Sequence, residues 1–126
     1  MDEPDPEGRT RRHVEICLRQ IGNRQLIGRH IGFALSADPV WDMLLDLYLS
    51  RHLSKDIAIS SLASAANVPP TTALRCIKAM VAQGLVYREA DATDGRRIYI
   101  RLTARACEAL TAIFDAMAER DADRAS

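Results

Sequence analysis

The side chains with most to offer a partner lie between Pro69 and Gly84. Thr71, Thr72, Arg75 and Lys78 recur at spacings that set them on one side of a helix, beside the small Ala79 and Ala82. Ala73, Cys76, Ile77, Met80 and Val81 fall on the opposite arc, with Leu74 at its border. Hydroxyls, one guanidinium and one ammonium, with no bulky neighbour, suit the edges and phosphates of a nucleic acid. An arginine fork matches the paired acceptors of guanine, a threonine serves a base edge, a phosphate or a thymine methyl, and a lysine meets phosphate as a point charge. A merely solvated helix would mix Glu with Lys, yet no acid stands between Pro69 and Arg88. A second pair of cations, Arg96 and Arg97, follows the turn-forming Asp94-Gly95, and Ser60, Ser61 and Ser64 offer hydroxyls just upstream of the helix.

Other chemistries are harder to build. No Ser-His-Asp set, Gly-rich phosphate loop or paired-carboxylate motif is present, so catalysis is not expected. His13, His30 and His52 lack ligand spacing, and neither a metal nor any other cofactor is expected. Cys17, Cys76 and Cys107 are odd in number and far apart, which argues against disulfides and zinc knuckles. Arginines near Cys17 would favour a thiolate, making it the one candidate for redox sensing; its place on an apolar stripe is the plainer reading.

The formal charge is zero, with 17 bases against 17 acids, but the charge is segregated. Residues 9–35 carry six bases and one acid, and residues 69–105 seven bases and three acids, whereas residues 1–8 and 106–126 are acidic. Two basic blocks within a neutral chain point to a localised anionic partner. The longest apolar run is interrupted by Asp42 and Asp46, which excludes a membrane helix, and the acidic, proline-bearing start is the reverse of a signal peptide. A cytoplasmic protein is expected.

The elements follow from local signals. Residues 1–8 read as a disordered acidic tail. Residues 9–35 read as a helical region with Val14, Cys17, Leu18 and Ile21 on one face, open to a kink or break at Gly22-Asn23. Asp38-Pro39 reads as a cap and first turn, opening a helix to about Arg51 that is apolar nearly all round. Ser60 or Ser61 is the expected cap of a short helix from Leu62 to Ala66, ended by Asn67; the Pro69–Gly84 helix then completes a helix-turn-helix. Leu85 to Arg88 and the alternating Arg97 to Leu102 predict a hairpin, with Ile98, Ile100 and Leu102 inward and Asp94-Gly95 free to take positive φ. Thr103 is the expected cap of a last helix. The fold class is therefore mainly α with a small β-hairpin wing: a winged helix-turn-helix over 36–102, flanked by helices over 9–35 and 103–126.

Over roughly residues 35–115 this pattern resembles the MarR family of bacterial transcription regulators. The resemblance is carried by Leu62-Ala63-Ser64-Ala65-Ala66-Asn67-Val68, by Gly84-Leu85-Val86, by the wing segment Asp91 to Arg97 and by the Arg101-Leu102-Thr103 junction. It implies a homodimer held by the terminal helices, with each subunit placing a helix in a major groove of duplex DNA. It further implies that Asp94 braces Arg96, that Arg96 enters the minor groove, and that Cys17 lies near where peroxide-sensing relatives keep a reactive cysteine. A small-molecule effector is possible by the same likeness, though the terminal helices match least. The expected function is a sequence-specific regulator, a repressor acting on a pseudo-palindrome, with Ser61, Ser64, Thr71, Thr72, Arg75, Lys78, Arg96 and Arg97 as its DNA contacts. The alternative is a winged-helix adaptor that binds protein and no DNA.

Overall fold

The computed structural model describes residues 6–125. In chain order it holds helices α1 (Pro6–Ile31) and α2 (Pro39–His52), strand β1 (Ile57–Ala58), helices α3 (Ile59–Ala65) and α4 (Pro70–Ala82), strands β2 (Val86–Ala90) and β3 (Ile98–Leu102), and helix α5 (Ala104–Ala125). A helix as apolar as α2 belongs in the middle, and Met43, Leu45, Leu47 and Tyr48 are all buried there. The Tyr48 ring meets Phe114 of α5 edge-on at 5.1 Å and His52 at 4.5 Å. From α4 the core receives Ala73, Ile77 and Met80, the arc foreseen from the spacing, and from the sheet Val86, Ile100 and Leu102.

The hairpin is part of a three-stranded antiparallel sheet of order β1-β3-β2. Ile57 pairs with Ile100, so the short β-prone run before α3 is an edge strand. In β2 and β3, Val86 lies opposite Leu102, Arg88 opposite Ile100 and Ala90 opposite Ile98. Inward alternation of Ile98, Ile100 and Leu102 is thus observed, with the last two fully buried.

Several local expectations are corrected. Gly22-Asn23 does not break α1, which continues through both. Of its expected apolar face, Cys17 is buried and Ile21 packs against the core, joined by His13 and Ile16, while Leu18 is half exposed. Of the expected acidic tail, positions 1–5 lie outside the described residues, and Pro6 to Gly8 form the first turn of α1. Asp38 caps α2 through its backbone: its carbonyl accepts the Asp42 N–H at 2.9 Å and its carboxylate makes no capping bond. The third helix starts at Ile59, with Ala58 at the cap position, which leaves Ser60 and Ser61 inside its first turn.

The ends of α4 and α5 are as anticipated and share a fastening. Asn67 (φ 58°) and Gly84 (φ 73°) take the left-handed conformation that ends each helix of the pair. The Leu85 N–H returns to the Met80 carbonyl at 2.9 Å, closing the last turn of α4. Thr103 Oγ1 accepts the Ala106 N–H at 3.1 Å, capping α5, and donates to the Gly84 carbonyl at 2.7 Å. Arg105 adds a bond of 2.6 Å to the Gln83 carbonyl.

Ion pairs tie α1 to its neighbours. Asp115 of α5 receives Arg9 at 2.9 Å and lies 2.7 Å from Nε2 of the buried His13. These partners hold its carboxyl below the usual range, His13 first and Arg9 second. Arg24 grips both oxygens of Asp42 in α2, at 2.8 and 3.3 Å, and also donates to the Ser36 carbonyl in the connecting loop.

Candidate nucleic-acid interface

The small Ala63 and Ala66 of the first helix and turn are buried, which lets α3 and α4 approach closely, and α4 buries one arc while presenting the other. Thr71, Arg75 and Lys78 are exposed and Thr72 is half-buried, with exposed Ala79 and Ala82 leaving low relief around them. Neither cation has an ion-pair partner among the described residues, so their charge is open to an external anion. Pro69 and Pro70 set the first turn of α4 without consuming an N–H, and no acid shares the helix. Ser60, Ser61 and Ser64 are exposed together on α3 and border a shallow depression at its surface.

The wing turn is built by carboxylates. Asp94 Oδ1 accepts the Arg96 N–H at 3.1 Å and its Nε at a long 3.4 Å, and the Asp94 carbonyl accepts the Arg97 N–H at 3.0 Å. Contrary to expectation, Gly95 does not take positive φ; an Asx-type turn does the work instead. The Arg96 side chain stands 95% exposed at the tip.

A stronger brace lies one step back. Asp91 Oδ1 accepts the Thr93 N–H at 2.9 Å and the Thr93 hydroxyl at 2.8 Å, while Oδ2 accepts the Tyr99 hydroxyl at 2.9 Å. Those bonds pull the Asp91 carboxyl down to about 2, led by the Thr93 N–H. Because the folded value is depressed, the brace holds above the ordinary carboxylate range and is lost only as pH falls through about 2. Arg97, expected at the tip, lies against the Tyr99 hydroxyl, which raises its guanidinium above the usual range. It is directed to the outer face of the sheet, where the alternation of β3 sends it. The Asp91-x-Thr93 spacing was a usable signal for this brace; the Tyr99 contact had none.

Cys17 does not have the surroundings of a sensor. It is completely buried, its thiol donates to the Leu45 carbonyl at 3.3 Å, and burial followed by the Asp46 charge pushes it up to about 12. A group that titrates there carries almost no thiolate at neutral pH. In the folded protein Cys17 should resist peroxide and iodoacetamide at pH 7.5 and react only in denaturant; alkylation followed by mass spectrometry reads this. No group of three or more potential metal ligands occurs among the described residues, and none of the described helices is long and apolar enough to cross a membrane.

The family described as winged helix DNA-binding domain matches residues 47–106. Residues 47–106 have the winged helix fold. The match spans α3, α4 and the whole wing, so the exposed arc of α4 lies inside the matched region. Solved structures extend the likeness of this winged helix to the flanking helices. A variant of Staphylococcus aureus MepR is 25% identical with a TM-score of 0.57, over 86% of this chain and 82% of that one. A MepR variant bound to an oligodeoxyribonucleotide is 25% identical with a TM-score of 0.55, over 86% and 81%. Another MepR structure, described as a transcription regulator of the multidrug efflux pump MepA, shares the fold at 24% identity and a TM-score of 0.53, over 86% and 82%. MepR is a MarR-family regulator, and the MarR-like character read from the wing and helix-turn-helix is borne out. No curated protein matches the chain.

Proposed function

We propose that the protein is a transcriptional regulator that binds duplex DNA as a homodimer and represses by occupying a pseudo-palindromic promoter site. One observation carries this reading: α4 turns an acid-free arc with two unpartnered cations outward from a winged helix DNA-binding domain. In it, α4 enters a major groove by its N-terminal turns. Arg75 reads guanine, Thr71 and Thr72 serve bases or phosphates, and Lys78, Ser61 and Ser64 hold the backbone. Arg96, steadied by Asp94, reaches the adjacent minor groove. The oligonucleotide-bound MepR variant, similar over most of both chains, supports the same mode.

Segments 9–35 and 103–126 form the dimer in this reading, and 36–102 the DNA-binding unit. Large apolar side chains are exposed on α1 (Leu18, Leu26, Ile27, Ile31), in the loop after it (Phe33, Leu35) and on α5 (Ile113). Seven of the ten exposed large hydrophobics among the described residues thus lie on the terminal helices and the loop after α1, where a second copy would cover them.

Selection of bound fragments from genomic DNA, followed by fluorescence anisotropy, tests the proposal. Arg75→Ala should relax base preference by about 1–3 kcal/mol at one position of each half-site. Arg96→Ala should weaken selected and scrambled duplexes more evenly. A protein that binds no duplex at low salt, yet retains protein partners, would be the adaptor instead.

A further inference from the structure

We infer that Arg88 on β2 is a duplex-phosphate contact, so that the wing engages the backbone along one face of its ribbon as well as at its tip. This rests on the DNA-binding reading above. In an antiparallel pair, directly opposite residues share a face. Arg88 lies opposite Ile100, and Val86 opposite Leu102, so Arg88 stands on the face that carries Val86, Ile100 and Leu102 into the core. That is the face against which α4 packs. Arg88 sits one step past the point where the core ends, and it is exposed.

The two faces of the ribbon differ in charge. On the outer face Arg101 is held by Glu89 at 3.1 Å and by Asp56 at 2.9 Å, and Arg97 lies against Tyr99, whose hydroxyl is bonded to Asp91. Three acids there offset two arginines, leaving nothing to attract a phosphate. On the α4 side, Arg88 is accompanied by Ala90 and Ile98 and by no acid, and it has no ion-pair partner among the described residues. Arg75, Lys78 and Arg88 thus carry no ion pair among the described residues, and Arg96 is held only by Asp94 at a long 3.4 Å, leaving these cations available to an external anion. A plainer role for Arg88 is to guard the edge strand β2 against pairing with another chain. A guard works on either face, whereas Arg88 occupies the acid-free one.

Fluorescence anisotropy with a selected duplex and a scrambled duplex, between about 50 and 200 mM salt, decides the matter. Arg88→Ala should weaken both duplexes about five- to tenfold and lower the log–log salt slope by about 0.9, the value for one released phosphate contact. Arg88→Lys should keep the slope, and Lys55→Ala, which removes an exposed cation from the turn before β1, should change neither quantity. An Arg88→Ala variant with unaltered slope and affinity, or one matched in its loss by Lys55→Ala, overturns the assignment while leaving the DNA-binding reading intact. Absence of duplex binding by the unaltered protein overturns both.

Discussion

In the proposed homodimer, replacing Ile27 and Ile31 together by lysine should give a monomer and lower affinity for a two-half-site duplex by about a hundredfold or more. The two residues are one turn apart on the same face of α1, beyond the end of the core, and stand 43% and 62% exposed. Neither belongs to the core or to the apolar side chains packed against it, so the substitution removes little intramolecular packing. Lysine is chosen because a cation is favourable at a helix C-terminus and an acid is not. Across a two-fold axis the four introduced charges would repel. Joining two half-site readers raises overall affinity about 10²–10⁴-fold through effective concentration alone, and separating them removes that gain. Sedimentation velocity and anisotropy on one- and two-half-site duplexes measure the outcome. A variant that stays dimeric and binds as before would place the interface elsewhere.

Arg24→Ala should cost about 2–4 kcal/mol at neutral pH, lowering Tm by about 8–15 °C. Arg24 and Asp42 are each about one-fifth exposed, and the guanidinium also holds the loop through Ser36. Its removal leaves Asp42 unpaired beside Asp46, around a cavity of about 170 Å³ that both carboxylates line. Asp46 is already held above the usual carboxylate range, by burial first and the Asp42 charge second. A raised value means that the contribution of Asp46 to stability is fully present below the unfolded pKa and is lost as pH rises through the folded one. The deficit of the variant should therefore be largest near pH 8 and smaller near pH 5, and adding Asp46→Asn should restore part of it. Thermal unfolding across that range checks both statements; equal deficits at the two pH values with no recovery would refute the account.

The parts of the fold that could be read beforehand are those whose cause is local. The buried arc of α4, the left-handed Asn67 and Gly84, the Thr103 cap and the alternation of β3 each depend on a few adjacent residues. What escaped depends on chain-distant partners. His13 meets Asp115 across 102 positions, and nothing in either neighbourhood marks the pair. Ile57-Ala58 gains its identity only from β3. Leu18 shares an apolar stripe with the buried Cys17, yet is half exposed, because such a stripe reads the same whether its own domain or another surface covers it. The wing shows the boundary within one segment: the Asp94–Arg96 turn and the outward direction of Arg97 are legible in a few adjacent residues, whereas the bond from the Tyr99 hydroxyl to Asp91, eight positions back, is not.

The Thr103 hydroxyl and the Arg105 guanidinium bind the start of α5 to the carbonyls that finish α4. The end of one helix is thereby fixed to the start of the other. With 22 residues α5 is about 33 Å long, so its far end has a long lever on the joint it shares with the helix proposed to lie in the groove. In the proposed homodimer, a partner gripping that far end would set the separation of the two reading heads, and so the phase of the double helix they accept.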